Sequence, residues 1–295
     1  MVKMRVRASG LLDARLGRRC GVSPRTASTI SPAMASMARG HRRFRHSCLR
    51  LVTRLLLAVL LIGVVLGCSL ESIAAAPIKT VRLVRLGRSE GGRSIVAVHV
   101  GEAHGTRVLI VGCIHGTECA GVRIARALER VRTHLDVWIV PNLNPDGYLR
   151  GTRQDGRGVD LNANWSSQWH SGGRPWDTYY PGPYPFSERE TRIPRNLILR
   201  LRPRVTIWFH QHMNLVWAWG PSTAAGRVYA RAARMRFYHH PWLHGTATNW
   251  QNHHLPGSAS FTVELPAGRL TSRQVRRQVH AVLKLGGAVR GPAHA

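Results

Sequence analysis

Four side chains in this sequence have the chemistry to hold a cation and move protons: His115, Glu118, His210 and Glu264. His115 and Glu118 lie in Val111-Gly-Cys-Ile-His-Gly-Thr-Glu-Cys-Ala-Gly121, between an apolar run and a segment of helical period. An imidazole and a carboxylate three residues apart on a tight strand-to-helix turn can close on one small ion. Zinc takes both kinds of ligand, and its catalytic sites leave one position for water. The pair alone also suits a plainer role, a histidine at a strand end and a glutamate offsetting a helix dipole. His210 and Glu264 change that balance, because each ends a run that reads as a buried strand, as His115 does. Polar strand ends in an open α/β sheet meet at one cleft when the strands are neighbours. His115, Glu118 and His210 would then form a two-histidine, one-carboxylate zinc site. Glu264 would be the general base, taking a proton from the water and giving it to a leaving amine. Asp160 is the candidate acceptor for the free N–H of a ligand histidine.

The elements that must position these groups alternate between the two periods. Thr80 to Leu86 and Ser94 to Val100 read as strands of a hairpin, with Gly91-Gly92 at the turn. Arg107 to Ile114 is the central strand, Gly121 to about Arg132 its helix, and Asp136 to Val140 the next strand. Pro141 to Gly147 carries turn residues, and a loop rich in Gly, Asn, Trp and Pro runs on to about Pro185. A loop of that length in a compact domain is usually functional or disordered. Ser187 and Glu190 have the spacing of a capping box, and Pro194 should kink or shorten the helix that follows. Val205 to Phe209 is a strand, Ala224 to Met235 a helix, Ser260 to Val263 a strand and Gln274 to Leu285 the last helix. Asn249 to His254 is read as a loop. Trp208, Trp217 and Trp219 read as core, and Trp165, Trp169 and Trp176 as candidates to line a cleft. The alternation indicates one α/β domain after Pro77.

The 295 residues carry 43 Lys and Arg against 14 Asp and Glu, a net charge of +29. Lys3, Lys79 and Lys284 are the only lysines, an arginine bias that resembles GC-rich coding. Such a charge suits nucleic acid, anionic lipid or an anionic wall polymer, but no zinc finger, RNP motif or helix-turn-helix pattern favours nucleic acid. Residues 1–76 read as a basic leader and export segment. The apolar run Leu55 to Gly67 has the length of a signal-peptide core and is short for a span. Ala74-Ala-Ala76 supplies small residues for cleavage, Cys68 ends a weak lipobox, and Met34 or Met37 are alternative starts. The expectation is an exported or envelope-associated chain, tethered to the membrane if the segment is retained and lipidated if Cys68 is used. A monomer is expected. Cys113 and Cys119 flank the central turn. A disulfide and a pair of small buried thiols both suit their spacing.

The chain resembles the zinc carboxypeptidases of the carboxypeptidase A type, in particular their small bacterial murein peptide amidase branch. The carriers are His115-Gly-Thr-Glu118, Asn144-Pro-Asp-Gly147, Gly151-Thr-Arg153, Gly158-Val-Asp-Leu-Asn-Ala-Asn-Trp165, Phe209-His210 and Thr262-Val-Glu-Leu265, in the family's order from about Val81 to Gly268. The resemblance implies a three-layer α/β/α fold with a mixed, mostly parallel twisted sheet over residues 77–295. It implies one zinc per chain on His115, Glu118 and His210, with Glu264 as the catalytic glutamate. Arg153 would polarise the scissile carbonyl, and Asn162 would meet the substrate's terminal carboxylate. The chain departs from the family at Ala163, where an arginine usually pairs with that carboxylate. A bidentate arginine is strong and directional, and alanine cannot replace it. His212 is a third imidazole that either assists substrate binding or simply ends a strand.

The leading expectation is an exported zinc metallocarboxypeptidase or amidase acting on a peptide, with the γ-D-glutamyl–diaminopimelate bond of murein stem peptides as the candidate target. The first alternative is a zinc deacylase of small N-acyl amino acids, which Ala163 favours slightly. The second is a non-catalytic wall-binding relic of the fold, against which the four intact site residues argue.

Overall fold

The computed structural model describes residues 81–288. The leader, the apolar run, Cys68, the alternative starts and the last seven residues fall outside the described residues. Among the described residues no helix is long and apolar enough to cross a membrane.

Strands β1 (Val81–Arg88) and β2 (Ser94–Gly101) form an antiparallel hairpin, and β2 continues antiparallel onto β4 (Asp136–Val140). β3 (Arg107–Val111) lies between β4 and β5 (Val205–Ala218) and is parallel to both. Every residue of β3 after Arg107 is buried, which is why it reads as an unbroken apolar run. Its side chains alternate between two cores. Val108 and Ile110 join one with Ile124 and Leu128 of helix α1 (Gly121–Leu128), while Leu109 and Val111 join the other with Leu197 and Ile198. Helices α4 (Thr223–Ala233) and α6 (Ser272–Ala288) share the first face with α1. Helices α3 (Arg189–Leu201) and α5 (Ala247–His254) cover the second. The result is the expected mixed sheet with a helical layer on each face.

The long strand β5 is not straight. Its register with β7 (Ala259–Pro266) ascends from Val205↔Ala259 to Gln211↔Leu265, then reverses through Leu215↔Glu264, Val216↔Val263 and Trp217↔Thr262. The chain doubles back near Gln211–Asn214, with a cis Gln211–His212 peptide and Asn214 at φ 51°. β7 therefore lies between the two arms of β5. The short strand β6 (Arg236–His239) extends the sheet beyond the second arm.

Several local expectations are corrected. The strand expected to stop at Phe209 continues to Ala218, because its second arm finds β7 and β6 as neighbours. Pro145–Arg150 is a short helix, α2, capped by the Asn144 side chain, which accepts from the Gly147 N–H. Asn249–His254 is helix rather than loop, with Thr246 as its capping residue. The capping box at Ser187 does not form. Its hydroxyl donates to Glu188, and Glu190 turns to accept the Glu90 N–H. Pro194 costs α3 one hydrogen bond without ending it. Trp165 is not a cleft residue but fully buried, packed edge-on against Trp208 and tilted against Trp250.

Candidate metal centre

β3 delivers the chain to the carboxyl edge of the sheet, and the turn that follows carries His115 and Glu118. The turn fits because Gly116 has no side chain, since a Cβ there would overlap the backbone of Gly147. Cys113 and Cys119 are joined by a disulfide across it, with Cα atoms 4.7 Å apart. β5, the parallel neighbour of β3, brings His210 to the same edge from 92 residues away. β7 pairs Glu264 with His210 in register, so the two side chains share a face of the sheet.

The donor atoms converge. His115 Nδ1 is 2.9 Å and His210 Nδ1 3.0 Å from Glu118 Oε2. One ligand atom from each of the three residues lies within 4.8 Å of the others, the sole such group among the described residues. His115 is buried, and its Nε2 is 2.8 Å from Asp160 Oδ1. If that nitrogen carries the proton, the Nδ1 lone pair faces the cluster. Three lone-pair bearers then crowd one point, which is stable only with a proton or a cation among them. Nitrogen and carboxylate donors with one histidine braced by a second carboxylate are the set that zinc takes. The residues present therefore fit the ion.

Charge balance agrees. Burial alone would raise the Glu118 carboxyl, but the two imidazoles outweigh it and hold it well below the usual range. Asp160 is likewise held low, burial opposing and His115 and Arg153 prevailing. Arg153 grips both acids, with Nη1 2.5 Å from Glu118 Oε1 and Nε and Nη2 3.1 and 3.0 Å from Asp160 Oδ2. The scaffold beneath Arg153 is Asn144, whose amide donates to the Arg153 and Gln154 carbonyls. The Asn-Pro-Asp-Gly segment thus positions the arginine as well as capping α2.

A cleft of about 530 Å³ opens beside this cluster, lined among others by Arg153, Asn162, Ala163, Tyr179 and His244. The Asn162 carboxamide oxygen accepts from the Ala247 N–H at the start of α5, and its backbone N–H donates to Asp160. Ala163 lines the same cleft, so the position of the family arginine faces it without a charge. Glu264 is partly buried, and its Oε2 has no hydrogen-bond partner, so that lone pair is uncommitted. His212 sits exposed in the bend of β5, in register with Pro266, and is not among the cleft's lining residues.

Three features escaped the sequence reading. Tyr179 lays its ring 5.4 Å from the Arg153 guanidinium. Gln211 accepts from the Ala120 N–H and donates to the Pro266 and Gly268 carbonyls, tying the metal turn to the end of β7. His170 and His244 meet at 3.1 Å on the cleft rim. All three depend on contacts between segments far apart in the chain. Only the aromatic content of the 165–185 loop hinted at the first.

Comparison with known proteins adds an independent line. Residues 69–236 match the zinc carboxypeptidase family, peptidase M14. That span holds His115, Glu118, Arg153, Asn162 and His210, whereas Glu264 lies downstream of it. Carboxypeptidase B of Astacus astacus is 26% identical over 163 residues, which make up 48% of this chain and 54% of that protein. The chain thus spans about half the length of that relative. Among solved structures, carboxypeptidase A from Helicoverpa armigera superposes with a TM-score of 0.60 at 20% identity, covering 71% of this chain and 68% of that one. Murein-tripeptide amidase MpaA from Escherichia coli O157 does so with 0.56 at 21% identity, covering 72% of this chain and 93% of that one. These likenesses carry the fold, and the matched span carries the family. With more than half of its length matched and the donor set assembled at the sheet edge, the chain belongs to the zinc carboxypeptidase family.

Proposed function

We propose that this protein is a zinc-dependent hydrolase of peptide amide bonds, exported and acting on a stem peptide of the cell wall. The observation that carries the reading is the meeting of His115, Glu118 and His210 at one point with Glu264 in register beside His210. Zinc, held by those three residues, would supply a Lewis acid that acidifies a water and polarises a carbonyl. Glu264 takes a proton from the attacking water and delivers it to the departing amine. Arg153 stabilises negative charge on the carbonyl oxygen, a role suited to a cation fixed in place by two carboxylates. Asp160 keeps His115 oriented. Asn162 offers its carboxamide N–H₂ to the cleft, since its oxygen is already used.

The wall substrate is supported by the fold shared with the murein-tripeptide amidase, 93% of which this chain covers, and export by the apolar run before Ala74-Ala-Ala76. A second reading, a deacylase of small N-acyl amino acids, is favoured by Ala163, which leaves the cleft without the arginine clamp. Digestion of murein peptides with and without chelator, read by mass spectrometry, tests the first reading. Hydrolysis at the γ-D-glutamyl bond that ends when zinc is removed is the expected result. Cleavage of N-acyl amino acids with the stem peptides left intact selects the second. A peptide free acid and its amide cleaved at equal rates would exclude strict carboxypeptidase action.

A further inference from the structure

On the outer side of the metal turn lies a trough that the hydrolytic chemistry does not use. It has a volume of about 570 Å³ and runs between α1 and the start of α6, beginning at Cys119. Five arginines line it: Arg123, Arg126, Arg130, Arg269 and Arg276, with no acidic residue among the lining side chains. A second depression of about 450 Å³ shares Val122, Arg126, Arg130 and Tyr148 with it and extends it past Pro141, adding only Glu129 as an acid. Arg123 is anchored, its guanidinium donating to the Leu270 carbonyl. Arg126, Arg130, Arg269 and Arg276 are exposed. None of these four takes part in an ion pair among the described residues, so none is neutralised. Four free guanidinium groups along a concave path would repel one another unless an anion lies among them.

We propose that this trough binds a linear, phosphate-bearing polymer without bases. Guanidinium groups pair bidentately with phosphate oxygens, and a row of them matches a repeating anion better than a single one. Continuity of the two depressions favours an extended chain over a compact ligand. Single-stranded nucleic acid fits less well, because successive bases need successive aromatic platforms, and Tyr148 is the sole aromatic residue lining the path. Charge complementarity and shape therefore select a flexible polyanion whose binding leaves the hydrolytic cleft open.

The test is binding of fluorescent inorganic polyphosphate to the full chain, followed by anisotropy, beside an oligothymidylate with the same number of phosphates. Polyphosphate should bind more tightly, and affinity should fall about a hundredfold between about 50 and 200 mM salt, as about four neutralised phosphates require. The Arg126→Glu/Arg130→Glu variant should lose about tenfold or more in affinity. An Arg200→Glu/Arg231→Glu variant, with the same charge change on α3 and α4, should lose about twofold at most. If the charge-reversed trough fails to fold by circular dichroism, Arg126→Gln/Arg130→Gln serves in its place with the same direction of effect. Equal losses in the trough and control variants would reduce the effect to diffuse charge and overturn the proposal. Oligothymidylate bound as tightly as polyphosphate would overturn it in favour of nucleic acid.

Discussion

Asp160 is the side chain on which the most site geometry rests. Its buried carboxylate receives His115 on one oxygen and the Arg153 fork on the other. Asp160→Asn keeps the shape but loses the charge that holds both partners. We expect metal affinity to drop about 10- to 100-fold, measured by competition with a chromogenic chelator, and native affinity in the variant would remove Asp160 from the site. Glu190 makes a separate claim. It is fully buried at the start of α3, and burial first, then Asp155 and Asp146 nearby, push its carboxyl up to about 8. A carboxyl raised on folding binds its proton more tightly in the native state. The stability it contributes is therefore present below the unfolded value of about 4.5 and is lost as pH rises toward about 8. Thermal midpoints should fall between those limits, and Glu190→Gln, which keeps a neutral group, should flatten the fall. An unchanged slope in that variant would assign the pH dependence elsewhere.

The metal turn is the element that the sequence exposed best and the bend of β5 the one it concealed. The turn is local: a buried strand, Gly116, the two candidate ligands and the bracketing cysteines all lie within a dozen residues, so spacing alone displayed it. The disulfide remained open because a spacing of six also suits two thiols. In the folded chain it closes a short loop around His115 and Glu118. Removing it by Cys113→Ser/Cys119→Ser should cost about 2 kcal/mol of stability, read as a lower denaturant midpoint. No change in midpoint would show that Gly116 and the packing of α2 set the turn unaided. The doubling back of β5 had no such local signal. Val205 to Phe209 reads as a strand on any scale, but the second arm forms because β7, from far downstream, inserts between the arms. Helix α5 was hidden for a related reason. Its polar sequence, Ala-Thr-Asn-Trp-Gln-Asn-His-His, lacks an apolar stripe. It is stabilised by Thr246 at its cap and by buried hydrogen bonds, including Gln251 to Thr206 and Ser258.

At the scale of the whole molecule, the alternation of strand and helix was enough to indicate an α/β domain with its cleft at the carboxyl edge. The strand order was not, because pairing depends on which faces can be covered after collapse. The order places β3, β5 and β7 side by side, and that adjacency makes a site from residues up to 149 positions apart. His115, Glu118, His210 and Asp160 were legible as residue types at strand ends and in one loop. Arg153 and Asn162 gained meaning only from the family's motifs, and their contacts explain why: each works through Asp160 or α5 rather than through its sequence neighbours. Glu264 is tied to His210 through strand register. Glu264→Gln should thus lower turnover by about 10²- to 10⁴-fold while zinc is retained, and full activity in that variant would place the base elsewhere. His210 is the candidate ligand that depends on the fold being right, since no local pattern links it to the turn. The most direct measurement is therefore the metal content of the purified chain and of its His210→Ala variant. About one zinc per wild-type chain, lost on dialysis from the variant, is the expected result. A wild-type chain that binds no zinc, or a variant that holds it as firmly, would contradict a shared centre built from His115, Glu118 and His210.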